Sequence, residues 1–148
     1  MIQQLHIPSN PALSQVVNFM TYAELTKEDI VDGWTAIFPN ATTNMMFSLD
    51  DDILVNQTST VNSVYTSCRS TVFFKPYLGM KFMTIQFSSY GLSYLKKIPA
   101  HELLDTLSHL DLIFSASEID RISTRLKESK SITDKFAILE MFIGKKIG

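Results

Sequence analysis

Residues 81–110 read KFMTIQFSSYGLSYLKKIPAHELLDTLSHL, and this stretch decides the fold. Phe82 to Phe87 alternate and are rich in aromatic and β-branched residues, which predicts a buried strand. Ser88 and Ser89 supply hydroxyls where a helix can start, and Tyr90 to Lys97 fit one or two helical turns. Ile98-Pro99 breaks that run, and Pro99 suits the first position of a further turn, Ala100 to Leu104. A strand thus hands the chain to short helices. The chain before this stretch reads as sheet, and the chain after it reads as helix.

Upstream, Met1 to Asn10 reads as a leader with Pro8 inside it and Pro11 just past it. Ala12 to Val17 fits a helical turn, whereas the composition of Val16 to Tyr22 favours a strand. Thr26 to Gly33 is a polar, acidic connection. Trp34 to Phe38, Asn44 to Leu49, Ile53 to Val55, Ser63 to Ser67 and Ser70 to Lys75 are further short strands, separated by polar segments. Pro76-Tyr77-Leu78-Gly79 carries a type I or II turn signature. Asp50-Asp51-Asp52 is the one dense acidic cluster. A calcium loop needs spaced carboxylates, so three adjacent ones predict a solvated turn. Many short strands at this spacing argue for a sandwich or barrel.

Downstream the period changes. Ser117, with Asp120 three residues on, precedes Ile119, Ile122 and Leu126 and predicts a capped amphipathic helix. Ser131 and Asp134 open a second one. Phe136, Leu139, Ile143 and Ile147 line one of its faces, with Ile138 and Phe142 beside them. Gly144 weakens its end.

Several of these residues resemble the N-terminal regulatory domain of AraC-type bacterial transcription regulators. Phe87, Gly91, Tyr94, Pro99, Glu102, Leu103 and Asp105 are similar to that family's last barrel strand, short helix, proline and acidic turn. Ser89 stands where the family usually has proline. Pro11, Leu13, Val16, Val17 and Phe19 are similar to its opening strand, and Pro39-Asn40-Ala41 to its P-D-G corner. The resemblance implies a cupin-like barrel that binds an effector, a helical region that pairs subunits, and a C-terminal helix-turn-helix part. That DNA-binding part is not in this chain, which is either a fragment or a stand-alone sensor.

Composition excludes other classes. With 13 Lys and Arg against 15 Asp and Glu, the net charge is −2, giving no electrostatic footprint for nucleic acid. DNA is expected as a partner only through the missing C-terminal part. At 148 residues the chain suits one domain with a real core, 1–88 mainly β and 89–148 mainly α. The single Cys68 allows no internal disulfide, and neither a membrane span nor a signal peptide is legible, so a cytoplasmic protein is expected.

A barrel invites a metal-enzyme reading, which needs converging histidines. His6, His101 and His109 form no H-x-H and fall outside the strand candidates, so no metal or other cofactor is expected. No phosphate loop, nucleophile elbow or marked pair of carboxylates is present, and no enzymatic activity is expected. What remains is an aromatic supply on the strands. Each such residue reads first as core. Some also suit an apolar cavity with polar handles, and Trp34, Tyr65, Arg69 and Phe74 are the candidate ligand-binding residues. Arg69 suits a carboxylate or phosphate, or a solvated surface.

The surplus apolar face of the last helix makes Phe136, Leu139, Phe142 and Ile143 candidate dimerisation residues. The alternative is that all four pack within one chain.

The expectation is therefore an α+β domain: a small antiparallel β-barrel or sandwich, cupin-like, followed by a C-terminal helical subdomain. Its expected role is to sense an unidentified small-molecule effector and to form a homodimer. A stand-alone small-molecule-binding protein, a small metabolite enzyme and a pure oligomerisation module are the rivals.

Overall fold

A computed structural model describes residues 2–29, 35–37, 43–49, 53–55, 58–60, 62–66, 72–75, 77–88, 106–109 and 114–147, with side chains over 2–29, 44–49, 75, 77–88 and 114–146. The chain is α+β, with antiparallel sheets followed by two C-terminal helices. Ten strands are described: β1 (Ile2–His6), β2 (Val17–Glu24), β3 (Thr35–Ile37), β4 (Thr43–Ser48), β5 (Ile53–Val55), β6 (Thr58–Thr60), β7 (Asn62–Thr66), β8 (Val72–Phe74), β9 (Lys81–Phe87) and β10 (Thr106–His109). The helices are α1 (Pro11–Ser14), α2 (Ala116–Glu128) and α3 (Ile132–Ile147).

Six strands form one sheet in the order β1-β2-β9-β4-β7-β10, and four form another, β3-β8-β5-β6. The larger sheet has two kinds of row. One runs His6, Met20, Ile85, Met45, Val64, Ser108 across all six strands. The next, on the opposite face, runs Leu5, Thr21, Thr84, Met46, Ser63, His109. Directly opposed residues share a face, so this register assigns every strand position a side.

The first face is the core. Met20, Tyr22, Met45, Phe47, Met83, Ile85 and Phe87 meet Ile119, Ile122 and Leu126 of α2, and Phe136, Leu139 and Ile143 of α3. Each large apolar side chain taken out of water here contributes roughly 2–3 kcal/mol. The i, i+3, i+4 spacing of these helix residues is why one stripe of each helix reaches the sheet.

Local chemistry sets the ends. Ser115 caps α2: its Oγ accepts the Glu118 N–H at 3.2 Å, and the Glu118 carboxylate accepts the Ser115 N–H at 3.0 Å. The cap is thus two residues before the Ser117 expected from sequence. Ser115 wins because its third residue on is a glutamate, long enough to reach back to the cap N–H. Ser131 does open α3, accepting the Asp134 N–H at 3.0 Å. Between the helices, Lys135 Nζ donates to the carbonyls of Leu126 and Ser129, satisfying the end of α2. The turn before β9 closes one residue later than read, with Met80 N–H donating to Tyr77 at 3.0 Å and Gly79 at φ 78°. Positive φ at the third position is the type II requirement that glycine meets without strain.

Three further sequence expectations change. The expected leader is strand β1, held along one edge by β2. The polar segment at 58–60 is strand β6, paired with β5. A strand, β10, returns from the part read as helical and pairs with β7. In each case a neighbouring strand with an open edge supplies the hydrogen bonds that composition alone does not call for. As the apolar face ending at Ile147 predicts, α3 runs through Gly144 to Ile147, and packing of Leu139 and Ile143 outweighs the weak propensity of one glycine. The expected helices at 90–97 and 100–104 and the Asp50–Asp52 turn lie outside the described residues.

Candidate ligand-binding face

The second face of the six-stranded sheet is built by alternate residues of β2, β4 and β9. In β4 the text Asn44-Met45-Met46-Phe47-Ser48 sends Met45 and Phe47 to the helices and Asn44, Met46 and Ser48 the other way. In β2, Thr21 and Ala23 share that side, and in β9, Phe82, Thr84 and Gln86 do so. Both described helices that pack on this sheet lie on the opposite side. Yet Thr21, Ala23, Asn44, Met46 and Ser48 are all buried, Ser48 at 1% exposure.

This face holds every buried polar side chain among the described residues: Thr21, Asn44 and Ser48. None is charged. The Thr21 and Thr84 hydroxyls hydrogen-bond each other across the β2–β9 ladder, and Asn44 and Ser48 are engaged too. Burying a hydroxyl or amide unpaired costs several kcal/mol, so such groups are tolerated only in a satisfied network. The arrangement is one dry, apolar face under the helices and one buried, neutral, hydrogen-bonding face behind it.

The ligand-binding residues expected from sequence do not converge on one sheet. Tyr65 lies on β7, in register with Asn44 and Leu107, so its strand position belongs to the polar face. Phe74 lies on β8 in the four-stranded sheet, paired with Thr35 and Val55. Trp34 and Arg69 lie outside the described residues. Thr21, Asn44, Ser48 and Thr84 were not singled out from sequence. Their signal is one or two small, uncharged polar residues in each otherwise apolar strand, on the side that alternation turns away from the core residues.

The expected dimerisation residues lie in the chain's own core. Phe136 is 2% exposed, and Leu139 and Ile143 are wholly buried, beyond the reach of a partner. Phe142 is half-buried, with its ring edge-on to Phe47 at 6.5 Å and 4.5 Å from Phe114. Within the one chain described, Phe136, Leu139 and Ile143 belong to the core and Phe142 packs against it.

Histidine placement also differs from the sequence reading. His6 is the last residue of β1, and His109 the last of β10, so both belong to the six-stranded sheet. His101 lies outside the described residues. Among the described residues, no three His, Cys, Asp or Glu side chains converge on a metal-sized site. Nor, among them, is any helix long and apolar enough to cross a membrane.

No family model matches this chain. No curated protein matches it either.

Proposed function

We propose that this chain is a ligand-sensing and dimerisation domain of the AraC regulatory type. One observation carries the reading: the buried polar side chains Thr21, Asn44 and Ser48 all lie on the sheet face turned away from the helices. In a cupin-like barrel that face is the interior, and we assign the four-stranded sheet β3-β8-β5-β6 as the layer opposite it. Hydroxyl and amide groups without charge suit a small, uncharged, polar effector.

The same strands carry the signal. Along β2, Thr21 belongs to the ligand face while Met20 and Tyr22 meet the helices. An effector that pulls Thr21 and Asn44 together favours one packing of α2 and α3 over another, and so biases subunit pairing.

A thermal-shift screen of small neutral metabolites tests this. The expected result is a saturable rise in melting temperature that Asn44→Leu abolishes while remaining folded. A screen without such a compound, together with Asn44→Leu that is as stable as the wild type, shows a filled interior and overturns the proposal.

A further inference from the structure

A groove of about 550 Å³ lies between α1 and α3. Small-molecule sites run from roughly 300 to 1,000 Å³. The walls are apolar: Ala12 and Leu13 of α1, and Met141 of α3, which is half exposed. Gly144 completes the α3 wall beside Met141. Glycine inside a helix is destabilising relative to alanine. A Cβ at Gly144 would meet nothing within 4 Å, so the space over it is open and no side chain of the groove fills it.

Two opposite charges flank this wall, Glu140 and Lys145. Five residues along an α-helix set them about 7.5 Å apart in rise and about 140° apart around the axis, with Gly144 and Met141 between. One Glu140 oxygen accepts from His6, which leaves the other for a second donor. The Lys145 ammonium is exposed and makes no ion pair among the described residues. Asn10, the remaining polar residue of the lining, is neutral, and its Oδ1 already accepts the Ala12 N–H.

We propose that this groove binds an α-amino acid with an apolar side chain. The amino acid's ammonium meets Glu140, its carboxylate meets Lys145, and its side chain lies on Ala12, Leu13 and Met141. Charge decides the occupant. A simple carboxylate brings its charge close to Glu140 and a simple amine close to Lys145, whereas a zwitterion satisfies both. The apolar walls suit an apolar side chain, and a flexible methionine adapts to its shape. The site lies between two helices, apart from the buried polar face of the sheet, and does not rest on the sensor reading.

An amide NMR titration with L-leucine tests it. Isocaproate, which lacks the amine, and isoamylamine, which lacks the carboxylate, are the comparison compounds. L-leucine should give saturable shifts at Ala12, Leu13, Gly144 and Lys145, and each comparison compound should bind about five-fold or more weakly. Lys145→Ala, at an exposed position, should stay folded and weaken L-leucine by a similar factor. Glu140→Gln, which keeps an acceptor for His6, should do the same. Gly144→Leu fills the open wall, so it should melt no lower than the wild type and lose binding. No saturable shift at millimolar L-leucine overturns the proposal. So does equal binding of either comparison compound, or undiminished binding in both Lys145→Ala and Gly144→Leu. If Gly144→Leu does not fold, undiminished binding in Lys145→Ala alone overturns it.

Discussion

His6, at the end of the first strand, donates its Nε2–H to the carboxylate of Glu140 on the last helix at 3.0 Å. A carboxylate only accepts, so the ring proton is on Nε2. The same imidazole stacks on Phe136 with ring centroids 4.8 Å apart and planes 16° from parallel. One side chain thus ties the edge strand β1 to α3 across nearly the whole chain.

Replacing that side chain should loosen both ends. His6→Ala removes a stacked pair worth about 0.5–1.5 kcal/mol and one partly exposed hydrogen bond of about 1 kcal/mol or less. Glu140→Gln keeps an acceptor for Nε2–H and the stack, and should cost only a few tenths of that. Urea unfolding midpoints of the two variants give the comparison. Equal losses would show that the charge, not the ring, makes the tie.

The α2 cap offers a cleaner case. Ser115→Ala removes the acceptor for the Glu118 N–H and should cost about 1 kcal/mol. Ser117→Ala should cost far less, because the α2 cap bond from the Glu118 N–H goes to Ser115. Chemical denaturation of both variants checks the order.

Glu118 also makes stability depend on pH. The Ser115 N–H bond, and after it Lys146 at 3.2 Å, hold its carboxyl below the ordinary value of 4.5. A depressed folded value means a contribution that is complete above the unfolded value and lost as pH falls through the folded one. Glu118→Gln should therefore be less stable than wild type near neutral pH. The gap should close as the pH drops below about 4.5. A gap that stays constant down to strongly acidic pH would show that the carboxylate's charge is irrelevant.

On the polar face, Thr21→Val leaves the Thr84 hydroxyl without its cross-strand partner and should cost about 1–2 kcal/mol. Thr84→Val should do the same in reverse. The double variant replaces both hydroxyls by methyl groups of similar size and should be less destabilised than the sum. A double-mutant cycle by urea denaturation reads the coupling directly. Simple additivity would show that the two hydroxyls do not depend on each other.

Phe142 separates core from interface. Its ring packs on Phe47 and Phe114 within the chain, so Phe142→Asp puts a charge into the helix–sheet layer. The expected loss is about 3 kcal/mol or more, seen as lost cooperativity in thermal melts followed by circular dichroism. A well-folded monomer would assign the ring to a subunit contact instead.

Much of this was written locally. The alternation in 44–49 and 82–87 gives β4 and β9, and the apolar spacing at Ile119, Ile122 and Leu126 gives the buried stripe of α2. The surplus apolar face of α3 was legible too, because periodicity records which side chains must leave water. Whether Phe136, Leu139 and Ile143 meet a partner or their own sheet was not legible, since both kinds of burial need the same residues.

By itself, then, the sequence determined the α+β order, the strand and helix periods and the cap at Ser131. Only the tertiary structure decided that residues 2–6 and 106–109 join the sheet, that Ser115 rather than Ser117 caps α2, and that Thr21, Asn44 and Ser48 share one buried face. The physical reason is that a strand's hydrogen bonds and a side chain's cover come from segments far along the chain. Local patterns state what must be satisfied, and the assembled fold states by whom.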